Sequence, residues 1–599
     1  MTQTNTVNNT PKGGQFLIDP VGSHSFFIPE DFTEEERFMG IAASEFCAKE
    51  VVPHARRMEE KDYELLVGAL KKSGELGLCM TAVPEAWGGL GLPERVTGLV
   101  AEKVASYGTF SVTHGAHSTI GTLPIVYFGT PEQKAKYLPK LATCELIGAY
   151  ALSEPGSGSD ALGARTVAVL NEEGTHYVVN GTKQWITNGG FADLFVVFCQ
   201  IADDEGAHHF SALIVEKDTP GFKPGKEEHK LGIRGTSTTP LHFDNALIPK
   251  ENLLGVIGKG HEIAFNILNV GRFKLALGVT GGARNVLTYA IEYASERKQF
   301  KTPVINFGAL RQKVAIAASE IYAMESLSYR IAGLIDEYKD EVGHIPEDAP
   351  GKVRMQPIQE YAIESSIAKV YCSEALNRVV SESLQMYGGY GYVEDYPVEM
   401  AFRDARINMI FEGTNEINRM LIPGMLLKRA MNGELPLMQW LGSLETGPQD
   451  VEDTTVMAAE INACQRIKGT TGVLMQAVAG KYMRTLESEQ ELLLLLSDLV
   501  MDAYIVDSAV GRTLKRHKSG ESNLDAVDAA TRLVVRHAAD RVRTNAERLA
   551  EAAFDGEQAL GLLEKINTWS ANYRCNVVAD QKLVADSVIG HGSYNLSGI

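Results

Sequence analysis

Four short segments carry residue types and spacings suited to chemistry. The last, Phe411-Glu-Gly-Thr-Asn415, sets a carboxylate between an aromatic residue and a glycine after the helical run VEMAFRDARINMI. Buried beside apolar groups, a glutamate has its pKa raised toward working pH and can take a proton from carbon. The first, Ala151-Leu-Ser-Glu-Pro-Gly-Ser-Gly-Ser-Asp160, offers backbone and hydroxyl donors at Gly156, Gly158 and Ser159 to a phosphate or carbonyl. The second, Lys183-Gln-Trp-Ile-Thr-Asn-Gly-Gly190, runs a strand into an Asn-Gly turn, and its indole suits the face of a flat aromatic cofactor. In the third, Gln385-Met-Tyr-Gly-Gly-Tyr-Gly-Tyr392, Gly388 and Gly389 give a helix C-cap and allow close backbone approach. Alone, each also has a plain structural reading: a glycine-rich turn, ordinary core, a helix stop, a solvated charge. Residues 156–161, GSGSDA, satisfy the loose dinucleotide pattern GxGxxA, but the sequel reads as a hairpin and not as the helix of a βαβ unit.

The elements that must position these segments follow from hydrophobic period. Helical spacing over 33–148, as in ERFMGIAASEFCAKEVV, predicts an N-terminal helical domain. Short β-rich runs over 149–258, among them HYVVNG and LFVVFCQ, predict a compact antiparallel β domain. Three long helical patterns over 259–434 predict a helix bundle, with 343–355 as an exposed connection. The acidic LETGPQDVEDTT segment reads as a linker within 435–599, a C-terminal helical extension whose helical pattern runs to near Phe554. The fold class is therefore α+β and multidomain, as 599 residues require.

Composition narrows the function classes. The net charge of −19 works against a general affinity for nucleic acid or anionic lipid, and the basic stretch RTLKRHK, 512–518, reads as a solvated helix end. The 7 cysteines are scattered without a CxxC pair, which suits reduced thiols in a cytoplasm. His114 with His117, and His208 with His209, lack a nearby cysteine or carboxylate set in the sequence and are read as structural, so no metal is expected. The start, MTQTNTVNNTPKGGQF, has neither an apolar signal core nor an arginine, so neither a secretory signal nor a transit peptide is expected, and the mature chain is expected to start near Met1. The densest apolar run, Leu492 to Leu496, is far short of the ~18 residues of a membrane span.

In this order and spacing, with 27 residues from Gln385 to Glu412, the segments resemble the acyl-CoA dehydrogenase family over residues 35 to 430. The resemblance implies a helical domain, a β-barrel-like domain and a four-helix bundle, with FAD held between domains and across a subunit interface. Tyr150, Leu152, Ser153, Gly158 and Ser159, with Trp185, Ile186 and Thr187, match positions that line the flavin, and Ser159 also faces the thioester. Arg297 and Phe300 of the RKQF segment match residues that reach a neighbouring subunit's FAD, and this chain has Lys301 where the family usually has glycine. Gln385, Gly388, Gly389, Thr414 and Glu416 match the rest of the flavin site.

By the same resemblance Glu412 is the base that removes the α-proton, its backbone N–H helps bind the thioester oxygen, and Gly413 and Arg272 adjoin the substrate. Some relatives place the base directly before the arginine matching Arg272; here that residue is Gly271. Val112 and Ala116 stand where medium-chain relatives close the acyl cavity with polar side chains, which implies a deeper pocket for a long fatty-acyl-CoA and a trans-2-enoyl-CoA product. HGAHSTIG, ILNVGRF, INFG and the extension are similar to the very-long-chain branch, which implies a homodimer and an electron-transferring flavoprotein as acceptor. The acidic linker implies a soluble, cytoplasmic or only loosely membrane-associated protein. The alternatives are an acyl-CoA oxidase passing electrons to O2, a class that usually reads EGDN where this chain has Glu412-Gly-Thr-Asn415, and an assembly or scaffold protein retaining the fold, against which the intact flavin motifs and base argue; similar flavin monooxygenases lack this glutamate.

Overall fold

The computed structural model describes residues 10–203, 205–346 and 349–599. Most of the start that carries no signal pattern, residues 1–9, therefore lies outside the described residues.

Helix starts are set by local chemistry. Thr33 caps the helix Glu34–Phe46 by accepting from the Glu36 N–H, while the Glu36 carboxylate accepts from the Thr33 N–H. Thr130 and Gln133 repeat this capping box at Pro131–Ala142. The Gln133 amide also donates to the Glu251 and Leu253 carbonyls, at 2.7 and 2.9 Å, and so ties the helical domain to the sheet.

The β domain comprises β1 (Gly148–Ala151), β2 (Val167–Leu170), β3 (His176–Thr187), β4 (Leu194–Ala202), β5 (His208–Glu216), β6 (Phe222–Pro224), β7 (Thr238–Pro249) and β8 (Leu253–Leu254). Their order is β6-β7-β3-β2-β4-β5-β8, with β1 also on β4. Pairing is antiparallel as expected except that β1 and β2 both run parallel to β4. The chain enters β1 from the helical domain and β2 after the glycine-rich loop, connections long enough to bring both strands in along the direction of β4.

The bundle is built from the helices Gly260–Glu296, Gly308–Val342, Ala362–Tyr387 and Asn415–Met431. The helix Glu94–Lys103 packs hard on the first of them: a Cβ at Gly281 would lie 2.0 Å from the Glu102 carbonyl oxygen, and only glycine permits that approach. The expected exposed connection over 343–355 is partly helical and partly buried. It forms the helical turn Gly351–Arg354 and buries Met355.

The extension supplies Ala458–Tyr482, Gln490–Lys518 and Asp525–Ala553, and two further helices, Gly556–Trp569 and Val577–His591, follow where the sequence pattern stops at Phe554. It is built into the bundle: fully buried Arg512 pairs with Glu30 at 2.6 Å and with Glu325 at 3.0 Å. No helix among the described residues is long and apolar enough to cross a membrane.

Candidate active site

Glu412 lies between the short turn Arg406–Met409 and the helix Asn415–Met431. Its φ of 57° and that of Gly413, 81°, are both left-handed, which turns the chain sharply, and the Thr414 hydroxyl then caps the helix by accepting from the Ile417 N–H. Three side chains hold this strained loop by its carbonyls. Lys369 donates to the Gly413 oxygen at 2.6 Å, Asn418 to the Gly413 and Thr414 oxygens at 2.9 and 3.1 Å, and Arg272 to the Glu412 oxygen at 3.4 Å.

The Glu412 carboxylate lies over the helix Gly260–Glu296 at Gly271, where an added Cβ would stand 2.6 Å from Oε2. Glycine at 271 is thus what gives the carboxylate its place. Oε2 is buried and has no hydrogen-bond partner among the described residues. Burial pushes the carboxyl up to about 7, against the pull of the Arg272 and Lys369 charges. An unpartnered buried carboxylate near neutrality is equipped to accept a proton and is held where a reacting atom would complete its hydrogen bonding.

A cavity of about 280 Å³ opens from Glu412 and Gly271 and runs between the helix Glu94–Lys103 and the helix Gly260–Glu296. Val112 and Ala116 line it, with Val100 on the first helix, Val104 at that helix's C-cap, and Gly278 and Gly282 on the second. A Cβ at Gly278 or Gly282 would meet nothing closer than 3.8 Å, so these glycines leave space rather than allow contact. The lining continues to Tyr289, about 27 Å along the helix from Gly271 at 1.5 Å per residue.

The models of the acyl-CoA dehydrogenase N-terminal, middle and C-terminal domains match residues 33–145, 149–246 and 258–426, and a further acyl-CoA dehydrogenase C-terminal domain model matches 471–567. The chain belongs to the acyl-CoA dehydrogenase family. It is 43% identical over 98% of its length to a probable acyl-CoA dehydrogenase of Bacillus subtilis, of which it covers 98%. It is 35% identical to the mitochondrial very long-chain specific acyl-CoA dehydrogenase of Mus musculus over 68% of this chain and 60% of that one. Among solved structures, the Bacillus anthracis acyl-CoA dehydrogenase complexed with FAD is similar at a TM-score of 0.94 and 43% identity, covering 98% of this chain and 100% of that one.

Residues expected to line a flavin fall into two groups in this acyl-CoA dehydrogenase. Thr187 lines the Glu412 cavity, and buried Tyr150 beside it donates to the Ala264 carbonyl at 3.4 Å. Trp185 is 61% exposed with a φ of 61°, presenting an open indole face, while Ile186 is buried in the sheet. Leu152, Ser153, Gly158 and Ser159 belong to the glycine-rich loop, with Gly158 and Ser159 on its exposed tip. Ser159 is not among the cavity's lining residues. Glu416 is an exposed first-turn residue of its helix.

Arg297, Phe300, Gln385, Gly388 and Gly389 instead share a second, open pocket of about 850 Å³ with Tyr390 and Tyr396. Phe300 is 90% exposed there, and the Arg297 guanidinium lies 5.2 Å from the Tyr390 ring. Phe300 and Lys301 both have left-handed φ, 51° and 65°. A glycine at 301, which the family resemblance implies, would adopt this φ freely, and here a lysine bears the strain.

Several residues that shape the site were not singled out in the sequence. Lys369 is a lone lysine in the apolar run SSIAKVY and is fully buried, and that misplacement in a helical pattern was the available signal. Lys183, quoted only as the start of its motif, is also fully buried and pairs with Glu154 at 2.7 Å. Glu154 further accepts from the Arg165 and Thr166 N–H groups, and Lys183 donates to the Leu152 carbonyl, so one ion pair fixes the ends of the glycine-rich loop. Lys183→Met leaves that carboxylate buried and unpaired. It is expected to cost about 3–5 kcal/mol, read as a lowered urea midpoint with loss of bound flavin, and an unchanged midpoint would show the pair is not structural.

His117 differs from expectation in its surroundings: the tertiary structure brings Cys79 and Cys144 beside it, with Cys144 Sγ 3.2 Å from Nε2. Its Nδ1 accepts from the Gly148 N–H at 3.0 Å, so Nε2 carries the proton and faces the Leu141 carbonyl at 2.9 Å. Both nitrogens are thereby engaged with backbone, which suits a tie between the helical domain and β1. At the other histidine pair, His209 joins Asp203 at 2.8 Å and His208 is exposed.

Proposed function

We propose that this chain is an FAD-dependent dehydrogenase of long-chain fatty acyl-CoA, with Glu412 as the base, an electron-transferring flavoprotein as acceptor and a homodimer as the working form. The observation that carries the reading is the unpartnered Glu412 carboxylate over Gly271, at one end of a long apolar cavity.

The residues present fit the cofactor: Trp185 and Phe300 leave large aromatic faces open, and Arg297, Gln385, Gly388 and Gly389 converge on one pocket. Tyr150, Leu152, Ser153, Gly158, Ser159, Trp185, Ile186, Thr187, Thr414 and Glu416 would hold the flavin end. Bound there, FAD supplies the two-electron acceptor for α,β-dehydrogenation. That the Arg297 pocket is separate from the Trp185 face supports its serving the flavin of a second copy, hence the dimer. Sedimentation of the FAD-loaded protein tests this, and a monomer that retains flavin would overturn it.

The chain's own groups divide the remaining work. Glu412 takes the α-proton onto the cavity-facing carboxylate, and its backbone N–H would stabilise the charge growing on the thioester oxygen. Lys369, Asn418 and Arg272 keep the loop fixed through that transfer. The apolar walls exclude water and so keep the carboxylate basic.

Length of acyl chain follows from the walls. Anaerobic titration with acyl-CoAs of increasing length, following flavin bleaching, is expected to favour long chains. Ala116→Phe should fill the cavity beyond the base and move the optimum to shorter acyl groups, with short-chain rates kept and long-chain rates reduced about tenfold or more, as a steric mismatch of 1–3 kcal/mol would give. An unchanged length profile would remove this cavity from the assignment.

A further inference from the structure

Lys369 Nζ lies 2.6 Å from the Gly413 oxygen and 2.8 Å from Asn415 Oδ1, with no exposure to solvent. An ammonium so buried is costly unless its partners are good, and its charge opposes the rise in Glu412 pKa. The contact does not end at Asn415. The Asn415 amide donates to Glu374 at 3.0 Å, Glu374 accepts from Arg419 at 2.7 Å, and Arg419 donates to Asp498 at 2.7 Å. Asp498 stands on the helix Gln490–Lys518, in the extension. An unbroken line of charge-assisted hydrogen bonds thus runs from the extension to the loop that carries the carboxylate.

We propose that Lys369 is a positioning residue for Glu412, holding its loop and setting its basicity, and that the C-terminal extension fixes Lys369 through Arg419 and Asp498. The inference rests on the reading of Glu412 as the base. It gives residues 435–599 a part in the reaction that the bundle alone would not supply. The charged and titratable groups around Glu412 are Arg272 from the helix Gly260–Glu296, Lys369 from Ala362–Tyr387 and Tyr150 from β1, while Glu374 and Glu416 face Lys369. Burial brings Lys369 down to about 7, so its charge and that of Glu412 respond to the same pH range.

Lys369→Gln keeps a donor toward Gly413 and removes the charge. In the FAD-loaded enzyme, anaerobic flavin reduction by a long-chain acyl-CoA is expected to slow about tenfold to a hundredfold, as for a misplaced catalytic group. The acid limb of its pH profile should move up by about one pH unit, because a carboxyl that loses a neighbouring cation is harder to ionise. A purely structural lysine would lower stability and leave that limb in place.

Asp498→Ala, at the half-exposed far end of the line, guards against a Lys369 variant that does not fold. It should slow reduction about threefold to tenfold and shift the same limb in the same direction, and the double variant should be no slower than Lys369→Gln alone. An unmoved limb in Lys369→Gln overturns the positioning role, and full activity in Asp498→Ala overturns the link to the extension. If Glu412→Gln itself bleaches normally, it is the assignment of the base that fails. If that variant is inactive while Lys369→Gln matches the parent, only the present inference falls.

Discussion

Glu412→Gln should abolish bleaching of the flavin by acyl-CoA while leaving FAD and acyl-CoA bound. The amide keeps the size and much of the polarity of the carboxylate, so binding surfaces change little, but it cannot accept the α-proton. General-base catalysis contributes about 10²–10⁴-fold, and anaerobic rapid mixing should show a loss of at least that size. The parent's pH dependence follows from the same burial. The proposed base works as the carboxylate, and the Glu412 pKa is pushed up to about 7, so the reduction rate should rise with pH through about 7 and level off above it. Below that value the group already carries a proton and cannot take another. A Gln variant that bleaches at the parent's rate would remove Glu412 from the chemistry and require a different acceptor along the cavity.

Gly271→Ala should be nearly as damaging, although it adds one methyl group and removes none of the reacting atoms. A Cβ there would lie 2.6 Å from Glu412 Oε2 and 2.8 Å from Cδ, too close for any real contact, so the carboxylate must move. Because the loop is pinned at its carbonyls by Lys369, Asn418 and Arg272, the shift is taken by the Glu412 side chain itself. A displacement of about 1 Å can cost about a hundredfold in rate, and that is the expected loss in single-turnover reduction. FAD content should be unchanged, since Gly271 is not among the residues proposed to hold the flavin, and the contact its Cβ would make is with the Glu412 carboxylate. Parent-like kinetics would mean that the carboxylate works from another position than the one over this helix.

These two expectations differ in what made them available. Glu412 stood out in the sequence because Phe411-Glu-Gly-Thr-Asn415 follows three other segments at fixed spacing. Gly271 was read only as a position that cannot itself be a base, and its steric role required the coordinates of a residue 141 positions away. Lys369 and Lys183 were harder still. A lysine in a helix or strand usually reaches solvent, and only packing from several elements shows that these two do not.

Hydrophobic period in the sequence by itself determined the succession of helical, β-rich and helical regions, since a repeat of 3.6 or 2 residues is a local property of the chain. It likewise marked the turn residues and the carboxylate loop, whose glycines and caps act over three or four positions. Tertiary structure alone decided the parallel entry of β1 and β2, the two helices after Phe554 and the seat of the second of them on Gly308–Val342, the gathering of Arg297, Phe300, Gln385, Gly388 and Gly389 in a pocket apart from Thr187, and the company of His117. It also decided the state of Glu412: the same carboxylate on the surface would stay near its ordinary value. What raises it is the removal of water by packing between segments far apart in the sequence, and no spacing along the chain encodes that burial.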